Sequence, residues 1–585
     1  MKRNIFKYFA LGTLVAVSFA SCEDFLDRPS EDNYNQDNYY QSDDQCISGV
    51  NYLYNSPWYD FQRGFLKVAE EMAGNYMFGT TSPYHTFTIN GSDQDLVNMS
   101  YSLWAEIGHC NAVYDNIKNS SGNLTPSVRN QCLGECLAWK AMAYFFLVRS
   151  FGEVPILHNN TASLNAGDYN TYPKNYKSDI YEYIIYTLET AMDLLPEKGA
   201  QGRLDYYCAE ALLAKVYLAK AGVLGSLNAD DLKKAADYAK DVIDNSGRKL
   251  EENYEDIFLL SNRYTEEGLY VWRWTADGAN WTRQNSYQSD LGMGGIDDWA
   301  ATWGDWGGLT VDMQEAFGIK LLEQQPDAWL SNVDSRLHAT MMLPGFKYSQ
   351  FWQDKGGFDY LEFLYEHATN IGLNSPTGAN TVKHLYGDTY DHQQGAGCAD
   401  ARMASSVPTF LLRLADVYLI YAEASLGASR SASSNADVID AFMAVRNRAI
   451  PGANRPASVT WEDIWKERRL ELCMEGDRWY DFVRVSYYDP DFCVKELTAQ
   501  KRNEFWGLSD VYETYYKSGT WDASAASYNS GTTAPNVASL MKGDSETPNY
   551  FYLPFPTEDV TFNPALASDV NAEGDHVDVR TVYAY

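Results

Sequence analysis

Residues 127–150 read SVRNQCLGECLAWKAMAYFFLVRS. A serine cap with Pro126 just before it is a start signal for a helix. Leu133, Leu137, Trp139, Ala143, Phe146 and Leu147 recur at helical spacing and predict a wide apolar stripe. The period continues downstream. Residues 180–195 put Ile184, Leu188, Ala191 and Leu195 on one face, with Pro196 as a stop. Residues 204–222 predict a third, alanine-rich helix. Residues 231–244 predict a fourth, with Ala235, Ala236, Ala239, Val242 and Ile243 turned inward.

Small residues recur at close spacing: Ala141 and Ala143, then Ala209, Ala211 and Ala214, then Ala235 and Ala239. They let antiparallel helices approach closely. Paired helices with short loops resemble tetratricopeptide repeats, here degenerate because the strict consensus of about 34 residues is absent. The helical pattern returns at residues 410–428, 435–448 and 460–485, so both halves of the chain contribute to one scaffold. Between residues 254 and 406 the pattern changes: glycine, aspartate, asparagine and tryptophan crowd together without a long amphipathic helix. The tail from Ser486 reads similarly. Long irregular stretches rich in aromatics point to ordered, functional loops.

Composition narrows the function. The 585 residues carry 46 Lys and Arg against 79 Asp and Glu, a net charge of −33. Such a surface repels nucleic acid and anionic membranes. It suits a neutral ligand. Aromatics make up 15% of the chain, with 44 Tyr and 16 Trp, residues that pair an apolar face with a polar tip and suit wet binding surfaces.

The N-terminal residues predict a location. Residues 1–7 form a basic n-region, and residues 8–19 an apolar run too short to remain as a spanning helix. Ala20 and Ser21 then lead directly to Cys22. A plain signal peptide would also end in small residues, but a cysteine at the cleavage position resembles the bacterial lipobox. This predicts that Cys22 is acylated and ties the protein to a membrane from outside the cytoplasm. Two or more acyl chains would make that tether durable. Residues 23–32 are acidic and resemble the stretch that sends some lipoproteins to the cell surface. No later run is long and apolar enough to span a bilayer. Eight cysteines remain beyond Cys22. Cys132 and Cys136 lie one helical turn apart, poorly placed for a mutual disulfide. No C-x-x-C pair occurs, so most thiols read as small buried apolar groups.

Catalytic signatures are missing. There is no H-E-x-x-H, G-x-S-x-G or G-x-x-x-x-G-K-[ST]. The eight histidines are scattered, and carboxylates are too abundant for a glycosidase pair to stand out. The reading is a non-enzyme with no cofactor and no metal. The densest unusual feature is residues 272–306, with Trp272, Trp274, Trp281, Trp299, Trp303 and Trp306, and Tyr287 among them. Aromatic faces stack on the C–H faces of sugar rings, and Asp297 and Asp298 supply acceptors for hydroxyls. Trp272 and Trp274 lie in a strand-like stretch and read as structural. Trp306 precedes a helix-like segment and leans the same way, though it stays in the candidate set. A second candidate is the turn-rich loop holding Asn75, Tyr76 and Tyr84, for which a structural role is equally open. Together these predict a shallow aromatic groove built largely from residues 281–303, with Tyr76 and Tyr84 across from it.

Several segments carry a resemblance to a known family. Residues 22–27, CEDFLD, followed by a proline, look like the mature start of SusD/RagB-type lipoproteins. Residues 138–156, AWKAMAYFFLVRSFGEVPI, resemble their helix ending in an R-x-x-G-x-x-P turn. Residues 412–424, LRLADVYLIYAEA, are similar to the family's R-L-A-E-x-Y-L-x-x-A-E-A helix, with Asp416 in place of the usual glutamate. Residues 445–449 fit V-R-x-R-A. Residues 467–484, ERRLELCMEGDRWYDFVR, fit E-R-R-x-E-L-x-x-E-G-x-R-W-x-D-L-x-R, and residues 552–556 and 563–564 resemble its P-I-P and N-P turns. These motifs are architectural: alternating charge at helical spacing in residues 467–484 suits a salt-bridged interior seam.

The resemblance implies a mainly α fold. Degenerate tetratricopeptide-like helix pairs would form a right-handed scaffold, with a large loop-rich portion packed on it. Its parts would be a signal peptide (1–21), a lipidated tether (22–43) and a helical repeat region (44–253). A loop-rich aromatic insert holding the glycan site (254–409), C-terminal helices completing the scaffold (410–485) and a loop-rich C-terminal portion (486–585) would follow. It also implies a surface-exposed outer-membrane lipoprotein that binds glycan and caps a SusC-like TonB-dependent transporter. A lid for peptide or other nutrient uptake, without a sugar site, is the alternative. The resemblance does not carry over which sugar is bound.

Overall fold

A computed structural model describes residues 39–167, 170–276, 281–297, 302–367, 372–398, 405–541, 551–567 and 576–585. The predicted signal peptide (1–21), Cys22, Asp298 and Trp299 lie outside the described residues.

The molecule is mainly helical. Its scaffold helices are α1 (Gln94–Lys118), α2 (Pro126–Phe151), α3 (Lys177–Leu194), α4 (Tyr206–Lys220), α5 (Ala229–Asn245), α6 (Leu414–Ala424), α7 (Ala436–Ala449), α8 (Trp461–Glu471) and α9 (Arg478–Ser486). Asp93, Asp205, Asn228 and Asn435 cap α1, α4, α5 and α7 by accepting backbone N–H groups of the first turn. Thr460 and Asp463 form a reciprocal capping box on α8. Each helix from α1 to α7 packs on the next in sequence, α5 meeting α6 across nearly 170 intervening residues. The scaffold therefore draws on both halves of the chain, as the periodicity predicts.

Three departures from the sequence reading have clear causes. Helix α2 has no solvated face: every residue from Cys132 to Phe151 is buried. Helices α1 and α3 flank it, and Trp139 and Phe146 meet an aromatic cluster of Tyr54, Trp58, Phe61 and Tyr270. Its polar side chains are partnered inside. Glu135 takes Arg203, Lys140 donates to the His158 carbonyl at 3.1 Å, and Arg149 reaches Asp477 at 3.2 Å.

Next, residues 410–413 are not helical. They belong to strand β2 (Thr409–Arg413), antiparallel to β1 (Gly268–Trp272), with Trp272 opposite Thr409 and Gly268 opposite Arg413. Finally, the helix expected at 460–485 breaks between α8 and α9. Met474 and Gly476 adopt positive φ there, +64° and +78°. A Cβ at Gly476 would lie 1.9 Å from the Phe65 ring, and its N–H donates to Glu70 at 2.8 Å. The tail also holds helices at Pro490–Ala499 and Leu508–Ser518 that its composition hides.

The break lets the charges of this segment point in several directions. Arg468 bonds Asp477 and Asp481, each at 3.1 Å, and also Asp416. Arg484 joins Glu423 at 2.6 Å and Asp481 at 2.9 Å. Glu467 holds Arg336 and Arg446; Glu475 holds Lys383 and Arg413. Glu471 takes Arg413 and Arg448. All of these groups except the partly exposed Arg446 lie in the interior, so the predicted seam is present. Burial alone would raise the Glu471 carboxyl. Arg448, Arg413 and Arg336 outweigh it and hold the group below its ordinary range. Such pairs add little net stability over an apolar core, but removing one partner leaves an uncompensated buried charge.

All eight cysteines of the described residues are free thiols, seven of them buried. None of the described helices is long and apolar enough to cross a membrane.

Candidate functional site

The tryptophan-rich loops are anchored at close intervals. Asn285 exchanges backbone hydrogen bonds with Ser405 and donates its side-chain amide to the Val407 carbonyl at 2.7 Å. Its own Oδ1 accepts the Tyr287 N–H at 2.8 Å, which starts a short helix, Tyr287–Leu291. Gln288 reads the backbone of a distant turn, donating to the Gly387 carbonyl and accepting from Tyr386 N–H, both at 2.7 Å. Gln62 clamps the same loop from the other side, accepting from Ser286 N–H and donating to the Gln284 carbonyl. The second loop docks on the short helix: Trp303 N–H donates to Ser289 and Gly304 N–H to Gly292. Thr302 and Asp305 close it on Met293 and Gly294.

On these anchored loops three indoles stand out into solvent. Trp281 is 49% exposed, Trp303 50% and Trp306 66%. Large aromatics held in water by ordered backbone need an explanation that scattered apolar residues do not. Trp306, which leans structural in the sequence, is the most exposed of the three. Tyr59 lies on the turn against which residues 281–283 pack, and burial raises its phenol above the usual range. Arg63, largely exposed, lies 3.6 Å from Asp290. Burial raises the Asp290 carboxyl, and Arg63 pulls it back down. Exposed indole faces can stack a sugar ring, and guanidinium, carboxylate and phenol groups on the neighbouring elements can bond hydroxyls.

Other expected members of the groove are interior. Tyr287 is wholly buried, its ring against Phe65 and His384. Asp297 is also buried. Asn75 donates to Glu70 at 2.8 Å and accepts from Arg469 at 2.8 Å, tying the 70–78 turn to α8. Tyr76 pairs in a two-residue ladder with Leu309, and its hydroxyl abuts Gly307. Tyr84 donates to Asp93 at 2.7 Å, under the Lys67 ammonium. These five are buried and do not face the tryptophans across a groove. Their polar tips are satisfied by, or enclosed in, the protein, with the Tyr287 hydroxyl left without a partner. Trp272 and Trp274 are buried, consistent with their place in and beside β1.

Tyr59 and Arg63 adjoin these loops, a proximity that was not legible in the sequence. They lie more than 200 residues before Trp281, on a turn and helix with no pattern pointing across that distance.

Comparison with known proteins identifies the family of the chain. The SusD family profile spans residues 156–571, and a profile described as starch-binding, associating with outer membrane, spans residues 24–218. A SusD-like protein of Bacteroides ovatus is 30% identical over 567 residues, covering 94% of this chain and 95% of its own. A crystal structure with xylogluco-oligosaccharide is 27% identical, with a TM-score of 0.72 and coverage of 90% of this chain and 98% of that one. A laminarin-binding SusD-like protein shares the fold at 20% identity, with a TM-score of 0.61 and coverage of 90% and 98%. This chain belongs to the SusD family.

Proposed function

We propose that this SusD-family chain captures an oligo- or polysaccharide on its exposed tryptophan loops and catalyses nothing itself. The observation that carries this reading is the set of three solvent-held indoles, Trp281, Trp303 and Trp306, on loops whose described residues are anchored at close intervals. Trp299 and Asp298, which lie outside the described residues, stay in the proposed set on sequence grounds alone. The related structure with xylogluco-oligosaccharide supports a glycan as the ligand class. A chain stacked on two or three rings gains about 1 kcal/mol per ring beyond area burial. Ordering the glycan offsets part of that, giving a dissociation constant on the order of micromolar to millimolar.

The rest of the proposal is topological. A lipid on Cys22 holds the protein on the outer membrane, facing outward, where it caps a SusC-like TonB-dependent transporter and passes glycan to it. Weak binding suits a protein that hands its cargo onward. Affinity electrophoresis against a panel of polysaccharides tests the central part: retardation by at least one of them, with no new reducing ends, is expected. Absence of retardation across the panel would overturn glycan capture, and new reducing ends would overturn the non-catalytic reading. Cys22→Ala is expected to release soluble protein or leave precursor, read by surface labelling of intact cells.

A further inference from the structure

A polar cavity of about 260 Å³, with no lining residue from the tryptophan loops at 281–306, lies between the turn before α4, the end of α5 and the start of β1. Three arginines line it, in a chain of net charge −33. Two have carboxylate partners. Arg203 is paired with Glu135, and Arg248 with Asp205 at 2.6 Å. Arg273 is different. Its Nη1 donates to the Arg263 carbonyl, and its backbone N–H donates to Tyr54 at 2.9 Å. Its guanidinium sits 5.2 Å from the centre of the Tyr264 ring, which Arg263 flanks at 5.1 Å. Among the described residues it forms no ion pair, and its Nε, like that of Arg248, is buried without a hydrogen-bond partner. Burial, with Arg248 nearby, lowers its pKa to about 10, so the charge persists at neutral pH with nothing to balance it.

The backbone keeps room at this charge. Gly202, at φ +82°, faces Tyr264 and Arg273: a Cβ there would lie 3.1 Å from the tyrosine ring and 3.7 Å from Arg273 Nε. Glu197 and Glu266 also line the cavity, but both are exposed, as is Lys198. Asp205 lines it too but is paired with Arg248, and among the described residues none of these carboxylates forms an ion pair with Arg273. The volume exceeds the ~150 Å³ of an apolar cavity that holds a benzene ring, and this one is polar. A buried guanidinium without a counter-charge is costly, and a bound anion with hydrogen-bonding oxygens relieves the cost.

We propose that this cavity binds a small oxyanion, a carboxylate or sulfate group, through Arg273 with Arg248 beside it. The source is either a free anion or an acidic sugar, and the site is separate from the tryptophan surface. Calorimetry on the full chain at fixed ionic strength, with sodium sulfate, glucuronate and neutral glucose as probes, tests it. Sulfate, glucuronate or both are expected to bind, and glucose not at this site. Sulfate binding identifies a free oxyanion as sufficient; glucuronate alone identifies the acidic sugar. Arg273→Met should weaken that binding at least about tenfold, the scale of a charge-assisted hydrogen bond, and leave any neutral-glycan affinity unchanged. Selenate-soaked crystals of the unaltered protein give a readout that needs no variant: an anomalous peak within hydrogen-bonding distance of Arg273. No binding by either anion, unchanged binding in a folded Arg273→Met, or no peak at Arg273 would overturn the proposal.

Discussion

Two stretches of this chain are dense in side chains that commonly mark function, and the structure uses them in opposite ways. Residues 467–484 hold alternating charge, and almost all of it is buried in pairs that join α6, α8, α9 and the β1–β2 ladder. Residues 281–306 hold tryptophan, and three of the described indoles are turned to water. Charge, which prefers water, is inside; indole, which prefers the core, is outside. The difference teaches that composition alone locates unusual chemistry, while burial decides whether that chemistry builds the fold or meets a ligand. It also sets where mutations should act: stability in the first stretch, binding in the second.

The largest effect is expected from Arg413→Met. The side chain is fully buried and bonds Glu267, Glu471 and Glu475. Its loss leaves three carboxylates short of positive charge and should cost about 3–5 kcal/mol. A guanidinium-chloride midpoint within error of the unaltered protein would show that the seam does not hold the two halves together. Gly476→Ala should come next, at about 3 kcal/mol, because the new Cβ meets both a positive φ and the Phe65 ring. Thermal unfolding measures it; a neutral result would mean that the turn between α8 and α9 can shift freely.

A smaller effect separates the loop root from the seam by pH. Burial pushes the Glu71 carboxyl up to about 7, against its hydrogen bonds from Ser82 and Phe78 N–H. A folded-state pKa above the unfolded value of 4.5 contributes stability that is full below that value and is lost as pH rises through about 7. Seam carboxylates run the other way. Burial would raise Glu475, but Arg413 and Lys383 hold it low, so its contribution is present above the unfolded pKa and lost in acid. Glu71→Gln should therefore gain about 2 kcal/mol relative to the unaltered protein between pH 5 and pH 8. Denaturation midpoints at those two pH values check this, and parallel curves would contradict it.

Much of the scaffold was legible because helical period is a local signal. The N-terminal helices, the return of the pattern after residue 410 and the charged seam all follow from residues a few positions apart. What was not legible depends on distance. Phe410 to Arg413 form a strand because β1 lies beside them, and the break after Glu471 exists because Phe65 and Glu70 pack into it. The same limit shaped the site. Trp281 and Trp303 could be singled out by their neighbours in sequence. That Asn75, Tyr76 and Tyr287 are interior is decided by Arg469, Leu309 and His384, far away in the chain, and Tyr84 is held inside by Asp93 nine residues on. Loop position suggested exposure, and tertiary packing reversed it.

The contrast is tested most directly by one paired measurement on Trp281→Ala and Trp303→Ala: calorimetric affinity for the glycan that retards the unaltered protein, alongside thermal unfolding. Both side chains are about half exposed, so unfolding should move by no more than about 0.5 kcal/mol. Affinity should fall by roughly fivefold or more in each variant, as losing one stacked ring implies. Two folded variants that bind the glycan as tightly as the unaltered protein would contradict the account, making these tryptophans bystanders and placing the ligand surface elsewhere.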